Sequence, residues 1–460
     1  MLSLETESPT QADCRILVLI EQMMEVLPQG TDLALCDLVS AMLSGYFIES
    51  GGAVMPAVEA FLKQEVGNER ERAARSRRAA KALTYGSYNL KELIEKVQEI
   101  VKGEGKWEAI RIQGYRVMPV DGTGYRRAAV KKLKSKVYDG DASRALPAVS
   151  IGMIGTVGKV NGKRIALLKE AVVSEIDKND KVEEKKKLYK KVKGCQQEDE
   201  VSVFDAGFKL VEAAEAGIKR CVIRLAQNCT FGKTPGKIPP RTSLKGPTPT
   251  QYKAEIIRPL ERTHKGKTLA ADPADEITQF TDEDGNEIEI HVWHQLYFLE
   301  RHLEKVPEKQ KAKLRNMPIK VVAIYHPAYP KPLLIGTLLT DLKPQSGYQF
   351  YLNRWPIEGL PQTGKYILSG GGGTHYVHHP TAIERLPVLS LIFGSLLKYA
   401  AATLPPFRTG FWDRHPKPTY GRLLRHLKKV GLRLSQQLFK KASSTDHLPV
   451  GYEAIRLAKG

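Results

Sequence analysis

The sequence predicts an α/β protein: a mixed sheet with flanking helices, interrupted by a β-rich insertion and preceded by a helical region. Three observations carry this. Short apolar runs end at acids and glycine turns in residues 115–123 and 201–207, as buried strands do. Apolar residues recur at helical spacing through residues 1–110, with few strand signals. Asp205 and Glu358 stand 153 positions apart, far more than one crossover needs, and the interval reads as turns and strands.

The elements follow from this in order. Helical periodicity marks residues 16–27, 33–47, 57–64 and 90–101. Between them, residues 70–81 carry six Lys or Arg against one acid, Glu71, which suits either a solvated helix face or a helix lying on phosphates. The core begins with the strand that ends at Asp121. Two apolar runs, 145–157 and 164–173, flank the turn Asn161-Gly162 and predict a hairpin. A helix in the charged stretch before Gly194 comes next, then the strand ending at Asp205, a helix over 209–216 and a strand over 220–225. Within the insertion, residues 231–253 are rich in Pro, Gly, Thr and Lys and predict an extended loop. A hairpin around Asp284-Gly285 and strands over 319–325 and 333–340 complete it. The resulting division is 1–110 helical, 111–228 first part of the core, 229–345 insertion, 346–405 second part of the core, and 406–460 basic C-terminal region; 460 residues are ample for several hydrophobic cores.

Lys and Arg outnumber Asp and Glu by 71 to 51, a formal charge of +20 with a pI near 9.5. So basic a balance suits a protein that gathers polyanions, nucleic acid first among them. An anionic membrane is the other candidate surface, but neither a lipidation motif nor a signal-peptide pattern is present, so no membrane is expected as a partner. The most apolar stretch, 386–404, contains Pro387, Gly394 and Lys398 and reads as a core helix of a soluble protein. The five cysteines, Cys14, Cys36, Cys195, Cys221 and Cys229, include no C-x2-C pair and are odd in number, which fits a reducing cytoplasm rather than a disulfide framework or zinc module. His375, His378 and His379 cluster, but without a nearby Cys and just after a glycine run. Gly232-Lys233-Thr234 resembles the end of a phosphate loop, yet Gln227 stands where its first glycine belongs. The glycines 370–373 follow no strand and open no helix, so neither segment points to a nucleotide-driven enzyme.

The densest chemistry lies in residues 351–365, YLNRWPIEGLPQTGK, which place Tyr351, Arg354, Glu358 and Lys365 at offsets of three, seven and fourteen. On a helix those offsets return to one face, presenting a carboxylate for a metal beside an arginine fork and a lysine suited to phosphodiester oxygens. A surface helix with an Arg354–Glu358 pair is the plainer reading of the same residues. Either upstream acid alone would suit a turn or a helix cap equally well. What carries weight is the order: Asp121-Gly-Thr after a strand, Asp205-Ala-Gly after another, then the four-residue pattern.

That order resembles the DDE transposases of bacterial insertion sequences, in the cut-and-paste group with a Tyr-x2-Arg-x3-Glu-x6-Lys signature. The resemblance covers roughly residues 115–400 and is strongest at the three motifs. It implies a ribonuclease H-like core in which Asp121 and Asp205 bridge two Mg2+ ions, with Mn2+ as a substitute, and Glu358 completes one coordination sphere. It further implies hydrolysis of a phosphodiester followed by attack of the freed 3′ hydroxyl, with Arg354 and Lys365 stabilising charge on the scissile phosphate and Tyr351 beside it. The implied partners are double-stranded DNA, both element ends and target, and a second copy of the chain in a homodimer on paired ends. The implied location is the bacterial cytoplasm, at the nucleoid. In the C-terminal region, residues 408–433 hold eight Lys or Arg and one acid, Asp413, and Arg422, Arg425, Lys428 and Lys429 are expected to touch the phosphate backbone from a helix anchored by Leu423, Leu424 and Leu427.

The chain departs from the family pattern in two places. Pro356 fits the first turn of a helix starting near Arg354, but Gly359, Pro361 and Gly364 weaken the turns that carry Lys365. Relatives that form a hairpin intermediate stack a flipped base on a tryptophan before the last strand of the insertion; here that stretch has Tyr325 and Tyr329, and Trp293 is distant. Two other functions share these features: a structure-selective nuclease of the same fold, which stops after hydrolysis, and a DNA-binding derivative without catalysis.

Overall fold

The structure, a computed structural model, describes residues 18–20, 22–23, 26–27, 31–63, 66–127, 133–139, 143–241, 248–408, 410 and 412–430. The chain forms two compact bodies. One comprises Met1–Ala109, Gly122–Lys181 and Pro356–Gly460; the other comprises Ile110–Asp121 and Val182–Trp355.

The first body opens with helices α1 (Thr31–Leu43), α2 (Tyr46–Glu49), α3 (Val54–Leu62), α4 (Glu69–Tyr85) and α5 (Leu90–Gly103). Of the segment 16–27 read as helical, the described residues 18–20 and 22–23 are helical, 26 and 27 lie in a turn, and the others lie outside the described residues. Asn68 starts α4 because its side-chain oxygen accepts from the backbone N–H of Arg70 and Glu71, and Asn89 does the same for α5 through Lys91, relieving donors that a helix start leaves unpaired. Leu93, Ile94, Val97, Ile100 and Val101 form the buried stripe of α5. In α4 the basic run is not uniform. Arg70, Arg77, Arg78 and Lys81 are exposed, whereas Arg75 turns inward and donates from Nε and Nη2 to Asp37 at 3.0 and 2.6 Å.

Strands β1 (Glu108–Ala109), β2 (Arg111–Ile112), β3 (Tyr115–Arg126), β4 (Lys136–Asp139), β5 (Arg144–Val160) and β6 (Lys163–Val173) follow. In the first body, β5 pairs antiparallel with β1, β4 and β6. The β5–β6 turn is the expected one: Asn161 and Gly162 take φ of 47° and 75°, the left-handed pair that matches the twist of a two-residue hairpin.

The second body is built on parallel strands. β2 pairs antiparallel with β3, β3 runs parallel to β7 (Glu200–Phe204), and β7 runs parallel to β8 (Cys221–Arg224). Helix α6 (Lys181–Cys195) precedes β7, and α7 (Leu210–Glu215) makes the crossover from β7 to β8. Val117, Met118 and Val120 of β3 and all of β7 are buried, the continuous apolar character of strands covered on both faces. At their starting ends Arg116 clamps the pair. Its guanidinium donates to Asp199 at 2.8 and 2.7 Å, and this hydrogen-bonded arginine holds the Asp199 carboxyl down to about 2.

The insertion contributes β9 (Phe231–Gly232) paired with β10 (Ile256–Ile257), β11 (Arg262–His264) paired with β12 (Lys267–Leu269), then β13 (Glu276–Thr281), β14 (Glu287–Leu296), the short helices α8 (Glu300–Leu303) and α9 (Glu308–Arg315), β15 (Ile319–Tyr325) and β16 (Leu333–Thr337). β16 ends at Thr337 rather than Thr340, because the chain turns where the Thr337 hydroxyl donates to Cys221 O and accepts from the Leu339 N–H. These four strands do not form a separate sheet: β16 pairs antiparallel with β8, and β15, β14 and β13 continue outward. Helix α10 (Pro344–Leu352) closes this body.

The chain returns to the first body with α11 (Gly359–Ser369), α12 (Pro380–Thr403) and α13 (Tyr420–Val430). α12 is the core helix expected for 386–404. It is long and apolar enough to cross a membrane, alone in this among the described residues, but 89% of its apolar window is buried inside the protein. Glycines let α11 lie directly on it: a Cβ on Gly394 would stand 2.9 Å from the backbone nitrogen of Gly364, and one on Gly364 would stand 2.6 Å from the Tyr125 hydroxyl. The whole is an α/β architecture with a mixed sheet, flanking helices and a preceding helical region. Its succession of hairpin, helix and parallel strands is consistent with the broad ribonuclease H-like class.

Candidate active site

Two acids meet where the pairing of β3 with β7 stops: Asp205 directly follows the end of β7, whereas Asp121 is an interior residue of β3, which runs on to Arg126 instead of ending at the acid as expected. The parallel register pairs Val120 with Phe204, so the next position on each strand brings Asp121 and Asp205 side by side, about 4.8 Å apart in the strand-to-strand direction. Both strands are buried up to that point and the chain turns immediately after Asp205, where the Phe208 N–H bonds back to its carbonyl. Both carboxylates are partly open to solvent, with side-chain exposures of 23% and 36%.

Each acid has its own cationic or donor partner. Arg354 is 1% exposed and lies 3.4 Å from Asp121 Oδ2, its guanidinium over the rings of Tyr351 and Trp355 at 5.5 and 5.0 Å. The Tyr351 hydroxyl donates to Asp205 Oδ1 at 3.3 Å and accepts from Arg224 Nη1 at 3.2 Å. Burial, and then the negative Asp205 beside it, push the Tyr351 pKa up, so the hydroxyl keeps the proton it donates. Arg224 Nη1 also lies 3.6 Å from Asp205. Sequence reasoning missed Arg224. The signal was present, since it ends the buried run of β8 much as Asp205 follows that of β7.

The four-residue signature does not lie on one helix face. Tyr351 closes α10, Arg354 follows in the break, residues Trp355–Glu358 form a 3-10 turn, and Lys365 sits in α11. The expected helix start near Arg354 is therefore corrected to Gly359, with Glu358 at the capping position. Pro361 lies in the first turn of α11, where a missing N–H costs nothing, and Gly364 is a close-contact residue rather than a weak point. The structure thus brings together Asp121, Asp205, Tyr351, Arg354 and Arg224 in one body. Glu358 and Lys365 belong to the other, where Glu358 is exposed and the Lys365 ammonium lies 5.6 Å from the centre of the Tyr125 ring.

The C-terminal helix divides its four basic residues. Arg422 hydrogen-bonds to Asp413 and to Phe407 O, and Lys428 pairs with Glu49 and lies over Tyr46. Arg425 and Lys429 are exposed, while Leu423, Leu424 and Leu427 are buried as expected; residues 431–433 lie outside the described residues. Trp293 is buried with its ring N–H bonded to Pro273 O, whereas Tyr329 is exposed and its ring lies tilted against that of His326, with centres 4.7 Å apart.

Among the described residues, no group of three or more His, Cys, Asp or Glu side chains is gathered closely enough to hold a metal ion. The free cysteines Cys36, Cys195, Cys221 and Cys229 form no disulfide among the described residues, and burial pushes the Cys221 thiol up to about 12. No protein-family model matches the chain, and no curated protein matches it.

Proposed function

We propose that this chain is a DNA transposase that cleaves phosphodiester bonds with Asp121, Asp205 and Glu358 and joins the freed 3′ end to target DNA. The observation that carries the reading is the adjacency of Asp121 and Asp205 one residue past the last pair of the parallel β3–β7 ladder, each supported by a cation or a hydroxyl donor from the segment that leads into Glu358. Structural ion pairs also occur at strand ends. Here, however, two acids share one sheet edge, both remain open to solvent, and the chain carries the net positive charge that a polyanion requires.

The donor set fits a hard divalent cation. Two carboxylates with no thiol or imidazole among their described partners offer oxygen ligands only, the preference of Mg2+, or of Mn2+ in its place. Asp121 and Asp205 would hold it, with Glu358 as the third carboxylate; when bound, such an ion supplies charge stabilisation to the phosphoryl oxygens. The chain's own residues do the rest. Arg354 and the Tyr351–Arg224 pair fix the carboxylate orientations, so the acids need not reorganise when substrate arrives. Lys365, and the exposed Arg425 and Lys429, are assigned to DNA phosphates. The partners in this reading are the element ends and target duplex and a second copy of the chain, in the cytoplasm at the nucleoid.

Incubating the protein with duplexes carrying the ends that flank its gene, a target duplex and Mg2+, then sizing the products, tests it. Joined strand-transfer products support transposition. Cleaved but never joined products would replace it with a nuclease of the same fold, and binding without cleavage with a DNA-binding derivative.

A further inference from the structure

Lys398 stands in the interior of α12, and the reading so far gives it no task. It is half-buried, and loss of solvent pulls its pKa down, with no acid contributing. Its ammonium lies against Gly359: a Cβ there would fall 1.7 Å from Nζ and 3.1 Å from Cε, so a side chain at 359 would displace the flexible end of the lysine. Gly359 directly follows Glu358 and is the first residue of α11. A positive charge is disfavoured at that position, because the first turn of a helix already presents the positive end of its dipole. The body thus keeps a desolvated cation, without an acid partner among the described residues, one residue beyond the proposed third carboxylate. A partly desolvated charge in such a setting is stabilised when an anion arrives.

We propose that Lys398 is a phosphate-contacting residue: with Gly359 as its seat, the ammonium takes a phosphodiester oxygen of the DNA strand delivered to Glu358. The anion is assigned to DNA because the neighbouring carboxylate would repel a small free anion, whereas a polymer held by many other contacts is brought there regardless. This inference rests on the DNA-cleavage reading and adds a contact that the four-residue signature does not contain.

The test compares Lys398→Met, which keeps length and apolar bulk, with Lys398→Arg and Gly359→Ala in the full-length chain. A labelled duplex carrying the flanking end is titrated at several KCl concentrations, and single-turnover cleavage is measured at saturating DNA. Lys398→Met is expected to flatten the slope of log K against log salt by about one unit and to slow cleavage roughly tenfold or more, with Lys398→Arg closer to wild type. Gly359→Ala, which keeps the charge but drives the ammonium from its seat, is expected to slow cleavage in the same direction and serves as the readout if Lys398→Met does not fold. A wild-type slope and rate in Lys398→Met, or in Gly359→Ala where that is the readout, overturns the assignment. A wild-type protein that neither binds nor cuts the duplex overturns the underlying reading instead, so the two failures are distinct.

Discussion

Tyr351 donates its hydroxyl proton to Asp205 across 3.3 Å while the same oxygen accepts from Arg224. A tyrosine so placed relays the charge of an arginine to a carboxylate that the arginine itself meets only at 3.6 Å, and holds that carboxylate in one rotamer. Phenylalanine keeps the ring and removes the relay. Tyr351→Phe is expected to slow single-turnover cleavage about three- to tenfold, the worth of one hydrogen bond, with DNA affinity unchanged. Equal rates in the two proteins would mean that Asp205 is positioned by Arg224 alone.

Asp121→Ala, Asp205→Ala and Glu358→Ala are each expected to abolish cleavage while leaving DNA binding largely intact, since affinity comes mainly from phosphate contacts. Filter binding beside a cleavage assay checks this. Any one variant that still cuts at near wild-type rate removes its residue from the site.

Arg354 and Lys365 separate by burial. Arg354 is enclosed by Tyr351, Trp355 and Asp121, so Arg354→Ala is expected to lower stability by about 3 kcal/mol as well as to stop cleavage. Lys365→Ala, from a partly exposed position, is expected to leave the urea midpoint nearly unchanged and to slow cleavage less. Matching midpoints for the two variants would contradict the difference in burial.

In α13 the exposed pair and the engaged pair should behave differently. Arg425→Ala with Lys429→Ala is expected to flatten the salt dependence of DNA binding by about two units, one for each lost contact. Arg422→Ala and Lys428→Ala remove partners of Asp413 and Glu49 and are expected to act on thermal stability first. An unchanged slope in the first double variant places α13 away from DNA.

Two histidines set an acid dependence. Burial holds the imidazoles of His302 and His375 down at about 4 rather than 6.5, and His302 Nδ1 already accepts from the Leu299 N–H, a bond that only the unprotonated nitrogen can make. Below pH 6.5 the unfolded chain takes up protons that the folded chain refuses. Stability is therefore full above pH 6.5 and falls as pH drops towards 4, by up to about 3 kcal/mol for each group. Urea titrations across that window check it, and His375→Gln is expected to flatten the profile.

Much of this was legible in the chain because each signal was local. The Asn161-Gly162 hairpin, the strand leading to Asp205 and the helix through Leu386 follow from turn chemistry and periodicity, whereas the strand expected to end at Asp121 continues to Arg126. The four-residue signature misled on geometry. Its spacing suits a helix, but the segment is broken into a helix end, a 3-10 turn that contains Pro356 and a new helix that starts at Gly359. Arg224 was missed because a lone arginine at a strand end means little until β8 lies next to β7. The ion pairs of Arg75, Arg422 and Lys428 were not legible, since their acid partners Asp37, Asp413 and Glu49 are supplied by folding rather than by helical spacing.

The seam between β8 and β16 has a mechanical consequence. β8 is bonded to β7 on one edge and to β16 on the other, and Gly336 of β16 lacks the side chain that would press on Leu210 and Leu225. No hinge separates the insertion strands from the strand that carries Arg224. A load applied to β13–β16 passes through three residue pairs of backbone bonds straight into β8, and the stiffness of that short ladder sets how far the arginine can drift from Asp205 when the outer strands are pulled.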